Sequence, residues 1–278
     1  MTPESAAYVA RSLRETDRDR YLSTLVLPPE RREAIKALYA FNSEVAAVSD
    51  RASEPAAGEI RLRWWADALE GRGHGDVRAN PIADALLSAI DEYRLPAAAL
   101  VRLIEARRFD LYHDAMPDLA TFEGYAGETV SVLYQLAAMI VSGGRPVEPG
   151  DAAGHLGVAH ALIGHLRAFG YNASRGRIFL PWEIFATCGI ERQQVLAGQP
   201  SEGLSIAVTR LGDIARSHLD LADAAVASMP TPLRAPFAML AVLRLQLRRL
   251  NYESPFQSPS DISDWRKIVA LWARIHFR

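Results

Sequence analysis

The sequence predicts an all-α protein, on three observations. Apolar side chains recur three and four residues apart over nearly the whole chain. Proline and glycine clusters interrupt that pattern at intervals suited to helices. No segment alternates apolar and polar residues for long enough to pair into a sheet. The first strong element spans 28–50, where Ile35, Leu38, Tyr39, Asn42, Val45, Ala46 and Ser49 fall on one side. Pro28-Pro29 suits its start, because a proline N–H is not missed in a first turn. Helices follow at 59–70, then at 81–93 behind Asn80-Pro81, at 97–114 behind Leu95-Pro96, and at 118–142. Behind Gly143-Gly144-Arg-Pro comes 151–172, then 203–228, then 233–251 behind Met229-Pro-Thr-Pro, and 262–277 after Ser254-Pro255. The one extended stretch, Arg177 to Pro181, is too short and isolated for a sheet. The expectation is one helical domain over 1–278, of about ten helices.

Composition narrows the function classes. A chain of 278 residues can bury a large core, and 49% hydrophobic with 23% charged residues is globular rather than disordered. With 31 basic against 33 acidic residues the net charge is −2, so no basic excess exists to hold a nucleic acid. The single cysteine, Cys188, rules out an intrachain disulfide and a cysteine-based zinc site. Only Lys36 and Lys267 among the basic residues are lysine. The start at Met1 lacks a basic stretch followed by an apolar one. The apolar run Val130 to Val141 falls short of the roughly 20 residues that cross a bilayer. A cytoplasmic protein is expected, with peripheral attachment at the inner membrane as the one membrane option. P-loop, dinucleotide and nucleophile-elbow glycine motifs are absent, and no two histidines stand four apart as zinc ligands on one helical face. His155, His160 and His165 step by five, about 140° around the axis, and read as ordinary core or surface residues.

Two blocks carry chemistry: Leu27 to Asp50, with Tyr39-Ala-Phe-Asn at its centre, and Leu156 to Pro181, with Arg175-Gly-Arg-Ile-Phe-Leu-Pro181 at its end. With Trp64-Trp65-Ala-Asp-Ala-Leu, Asn80-Pro81-Ile-Ala-Asp-Ala-Leu and Leu103-Ile-Glu-Ala-Arg-Arg-Phe-Asp110, they make the chain resemble the squalene/phytoene synthase family along its full length. The resemblance implies an isoprenoid-synthase-like helical bundle around a central cavity. It also implies head-to-head joining of two prenyl diphosphates, with magnesium held by aspartate-rich motifs on two facing helices. Carboxylates four apart share a helical face and are the hard oxygen ligands magnesium takes. The metal would stabilise the departing diphosphate.

Laid on that pattern, the motifs are eroded. The adjacent aspartates of the first motif fall on Ala46 and Ala47, and only the last survives, as Asp50. Its arginine falls on Ser43, and its tyrosine is kept as Tyr39. In the second motif the arginine is Arg167, the following aspartate is Ala168 and the last acid is Asn172. The glutamine and asparagine before it fall on Ala161 and Gly164. One carboxylate remains where the resemblance implies four or more. Tyr39, Asp50, Arg167, Asn172 and Arg177 would form a residual ligand pocket, with Arg167 and Arg177 able to hold a phosphate. Binding a ground-state phosphate does not catalyse its departure. Glu44 lies off the old acid face, and Glu54 is the other acid that could stand in. Three or more acids meeting near Arg167 from elsewhere in the chain would overturn the reading.

The leading expectation is therefore a non-catalytic relative with no metal or cofactor. It is similar to a degenerate branch, the mitochondrial complex I assembly factor, in Tyr39 to Asn42, Arg61 to Trp65 and Tyr125 to Leu133. That likeness implies a protein partner or membrane complex. The alternatives are a magnesium-dependent prenyltransferase acting on farnesyl or geranylgeranyl diphosphate, and a carrier of isoprenoid or other lipid. Small residues Gly154, Gly157, Ala161, Gly164 and Ala168 bare one helical face, for either close helix packing or a roomy cavity, with packing the expectation. In the last helix, capped by Ser260 or Asp261, residues Trp265, Ile268, Val269, Trp272, Ile275 and His276 form a stripe flanked by Arg266, Lys267, Arg274 and Arg278. Such a stripe docks on the body of a protein or lies on an anionic membrane; docking is the expectation.

Overall fold

The computed structural model describes every residue except His113 and Arg278. Sixteen α-helices are found among the described residues, and no strand. In chain order they are α1 (Pro3–Thr16), α2 (Arg18–Thr24), α3 (Arg32–Ala46), α4 (Val48–Arg51), α5 (Pro55–Leu69), α6 (Pro81–Tyr93), α7 (Ala97–Arg107) and α8 (Leu119–Ala126). Then come α9 (Val132–Val141), α10 (Gly150–Arg167), α11 (Phe169–Ser174), α12 (Trp182–Ala186), α13 (Arg192–Leu196), α14 (Glu202–Ser228), α15 (Met239–Leu247) and α16 (Asp264–His276). A π-helical turn, Gly127–Ser131, joins α8 to α9 without a break.

Side-chain caps explain several of the starts. The Asn80 side chain accepts the N–H groups of Ile82 and Ala83 at 2.9 and 3.2 Å, with Pro81 opening α6. Asp118 accepts from Thr121 at 2.7 Å and Ser201 from Leu204 at 3.2 Å. At α16 the sequence expectation fails: the cap residue is Ser263, without a side-chain hydrogen bond, rather than Ser260 or Asp261. The span expected at 97–114 stops at Arg107 and continues only as a 3-10 turn, Arg108–Leu111. Helices α1 and α2 were not anticipated; Asp17 ends the first and caps the second through the Arg20 N–H at 3.0 Å.

The helices surround two apolar cores. Val9, Leu13, Ile35, Leu38, Phe41, Leu86, Leu100 and Leu103 from α1, α3, α6 and α7 fill one. Leu156, Ala159, Leu162, Leu211, Leu219, Phe237 and Leu243 from α10, α14, α15 and the turn before it fill the other. Helix α9 lies between them, giving Leu133, Leu136 and Ile140 to the first and Tyr134 and Ala138 to the second. That double burial explains why 130–141 reads as so continuous an apolar run. No helix among the described residues is long and apolar enough to cross a membrane.

Candidate functional site

Both eroded motifs sit at helix breaks. Helix α3 stops at Ala46, Ala47 forms a turn, and α4 resumes at Val48. Helix α10 stops at Arg167, Ala168 forms a turn, and α11 resumes at Phe169. The spans expected as continuous helices at 28–50 and 151–172 are thus each divided at a motif alanine. The last carbonyls of a helix carry partial negative charge, and Arg177 answers it at α4. Its Nη2 donates to the Ser49 carbonyl at 2.8 Å, and its Nη1 donates to Asp50 Oδ1 at 2.9 Å. Arg175 adds a second cation at 3.8 Å from the same carboxylate oxygen. Asn172 places these arginines: its carbonyl accepts the N–H groups of Arg175 and Arg177, both at 3.0 Å, around Gly176 with φ of +76°.

Arg167 has different partners. Its guanidinium lies 3.9 Å from Asp19 Oδ2 and 3.6 Å from Asp261 Oδ1. Lys267, 2% exposed, reaches the same two acids, at 2.7 Å to Asp19 Oδ1 and 3.0 Å to Asp261 Oδ1. Gln246 also donates to Asp19. Two acids meet Arg167, then, rather than three, and both are bound to a lysine. The sequence reading missed Asp19, Asp261 and Lys267, which carry no motif spacing. Arg167 and Arg177, expected to grip one phosphate together, each have their own carboxylates. Glu44 pairs with Arg51 at 3.0 Å, consistent with a direction off the motif face, and Glu54 opens α5 from an exposed position.

Deeper in, Tyr39 is buried under the Arg20 guanidinium, 5.6 Å from the ring centroid, and Arg20 in turn binds Asp17 at 2.8 Å. Burial pushes the Tyr39 hydroxyl up to about 12 against the pull of Arg20. Opposite, Tyr134 bonds His160 Nδ1 at 2.8 Å. Burial, then the charges of Arg20 and Arg167, hold that imidazole well below its ordinary value, so it is neutral. His160 is a partly buried member of this polar nest. Near Arg177, Arg107 donates to Asp110 at 3.0 Å and to Tyr125 at 2.8 Å, while Tyr125 donates to Asp110 at 2.7 Å. Burial pushes the Asp110 carboxyl up against the pull of Arg107 and Tyr125. The sequence reading also missed this triad, in which Arg107 Nε alone is left without a hydrogen-bond partner.

The small face of α10 does two things. A side chain at Gly157 would lie 2.0 Å from Ser131 Oγ and 2.6 Å from its backbone, so that glycine is close packing against the π-turn. At Gly154 and Gly164 nothing stands within 4 Å of an added Cβ, so these positions border open space. Ala161 is buried among core residues. Ser43, where the family motif has arginine, has its hydroxyl buried without a hydrogen-bond partner, and so does the Asn42 amide oxygen. Crevices of about 470 and 430 Å³ lie away from the motifs, one against Asp220, Asp223 and Arg274, the other against His155, His218 and Glu123.

This fold is isoprenoid-synthase-like: the chain superposes on a dehydrosqualene synthase crystallised with ligand over 98% of its length and 95% of that chain, with a TM-score of 0.83 at 21% identity. A squalene synthase of Alicyclobacillus acidocaldarius matches 88% of this chain and 92% of its own, with a TM-score of 0.72 at 19% identity. The sequence model described as squalene/phytoene synthase matches residues 13–266, and the chain belongs to that family. Among curated relatives, the human NADH dehydrogenase (ubiquinone) complex I assembly factor 6 is 30% identical over 86% of this chain and 71% of its own. The rat protein of that name is 29% identical over 90% and 74%. A 15-cis-phytoene synthase of Synechococcus elongatus is 26% identical over 90% and 86%.

The family's chemistry implies magnesium, and the residues at the two helix breaks do not fit it. Methyl groups stand at Ala46, Ala47 and Ala168, and an amide at Asn172. Asp50 is bound by two arginines, Asp19 and Asp261 by Lys267 and Arg167, and Asp110 by Arg107. Among the described residues no three acidic, histidine or cysteine side chains are grouped as around a metal ion.

Proposed function

We propose that this protein is a non-catalytic squalene/phytoene synthase-like protein that works as a binding or assembly factor for a membrane respiratory complex, of the kind named for its complex I assembly relatives. One observation carries the reading: each carboxylate beside the broken ends of α3 and α10 is already neutralised by a cation of the chain itself. Departure of a diphosphate needs charge stabilisation that grows in the transition state, and neutralised acids cannot recruit the metal for it. Similarity to complex I assembly factor 6 over most of the chain supports the assembly role. The client is then a membrane protein complex approached from the cytoplasm. Incubation with farnesyl or geranylgeranyl diphosphate, Mg²⁺ and a reductant is expected to release no diphosphate above the protein-free control; release would restore the prenyltransferase. Deletion of the gene is expected to lower assembled complex I in native gels of membranes, and full assembly would refute the assembly role.

A further inference from the structure

Helix α16 is docked the wrong way round for a helix of its pattern. An amphipathic helix on a globular protein ordinarily turns its apolar stripe inward. Here Trp265, Ile268, Val269 and Trp272 are 62%, 38%, 55% and 48% exposed, and Phe277 at the carboxyl end is 74% exposed. The inward face holds Lys267, Leu271 and Arg274 instead, of which only Leu271 is a fully buried apolar residue. Ion pairs fix this orientation: Lys267 with Asp19 and Asp261, Arg274 with Asp223, and Arg18 with Asp264. The expectation that the stripe docks is therefore corrected for Trp265, Ile268, Val269 and Trp272, whereas Ile275 at its far end does pack against the core. The basic flank is corrected too, since Lys267 and Arg274 point into the protein and Arg278 lies outside the described residues.

We propose that the outward face of α16 is a seat for an anionic phospholipid surface. Thirteen residues give a ridge about 20 Å long. Indole and phenyl groups stand at its two ends with Ile268 and Val269 between them, and aromatic rings favour the boundary between headgroups and acyl chains. Charge selects the lipid. The stripe itself includes no acid, and Asp261 and Asp264 beside it, though solvent-accessible, are paired with Lys267 and Arg18. Arg266 lies over the Trp265 ring at 5.4 Å with no carboxylate partner among the described residues, and Arg249, bound to the Asp261 carbonyl at 3.0 Å, stands at the same end. Cations thus outnumber acids where headgroup phosphates would lie. A second copy is the poorer occupant. One helix face of this length exposes on the order of 500 Å², short of the roughly 800 Å² per partner that a stable dimer buries. The proposal does not depend on whether the chain is catalytic.

The test uses the full chain and sucrose-loaded vesicles of phosphatidylcholine with or without phosphatidylglycerol. Expected are pelleting with the anionic vesicles, weaker pelleting with the neutral ones, and a blue shift of tryptophan emission on binding. In Trp265→Ser/Trp272→Ser, partitioning is expected to fall about tenfold or more while the thermal melt is retained, both residues being exposed. Val269→Glu should act in the same direction. No pelleting of the unaltered protein, or equal pelleting of the double variant, would overturn the proposal. Equal binding to neutral vesicles would overturn the choice of headgroup. A dimer in sedimentation velocity that the double variant dissolves, without vesicle binding, would assign the ridge to a second copy.

Discussion

Lys267 is one of two lysines in a chain that otherwise uses arginine, and both are buried. A compact ammonium with three donors can lie between two carboxylates where a planar guanidinium would not fit, and Lys267 does so between Asp19 and Asp261. Removing it leaves the mostly buried Asp19 carboxylate with only the neutral Gln246 amide and the more distant Arg167 opposite. Lys267→Met is therefore expected to cost about 3 kcal/mol in urea unfolding, and an unchanged midpoint would refute the pairing. Lys267→Met should not generate prenyltransferase activity, because three alanines still stand at the motif positions. The sequence made Tyr39, Asp50, Arg167, Asn172 and Arg177 stand out only because two blocks resemble the family's motifs. It could not show Asp19 or Asp261, which reach Arg167 through the fold and have no local signature. The scarcity of lysine was the one visible hint, and composition alone does not say where an ammonium is aimed.

At the scale of one helix, α10 separates two roles for glycine. Gly157→Ala drives a methyl group into the backbone of Ser131 on the π-turn, and a loss of about 2–3 kcal/mol is expected. Gly164→Ala meets open space and gains helix propensity, so it should be neutral or stabilising by up to about 1 kcal/mol. Equal effects in parallel melts would show that the face has one role. The periodicity that exposed this face could not say which glycine touches a neighbour. Nor could it mark the breaks at Ala47 and Ala168, because alanine is the strongest helix former and only tertiary contacts stop a helix there. For α16 the pattern identified an amphipathic helix correctly and its orientation wrongly, since ion pairs to residues more than two hundred positions away decide which face is buried.

Across the whole molecule, two partly buried imidazoles contribute to the response to acid. Burial, then Arg107, lowers His165 to about 3, and His160 is likewise held well down by burial, then by Arg20 and Arg167. Both titrate near 6.5 in the unfolded chain. The folded form refuses protons that the unfolded form accepts, so stability is fully present above about pH 6.5 and declines as pH falls below it. Each histidine contributes up to about 1.4 kcal/mol per pH unit. His165→Phe, between Phe122 and Phe179, is expected to flatten that decline by about one such share in urea titrations at pH 7 and 5. An unaltered slope would show that His165 is protonated in the folded state. The helical class was readable because period and punctuation agreed along the chain. Which helices share a core was not, because that depends on how distant segments meet.

Helix α9 gives one side to each core, and this has a consequence for a chain still being made. Once α9 has emerged from the ribosome, α1, α3, α6 and α7 precede it in the chain and are available to cover their side of it. Tyr134 and Ala138 then face outward until α10, and later α14 and α15, arrive to cover them. A ribosome stalled after α9 has emerged but before α14 has would thus display a half-built protein with a greasy flank, and such a nascent product is expected to be captured by chaperones more strongly than the finished, released chain.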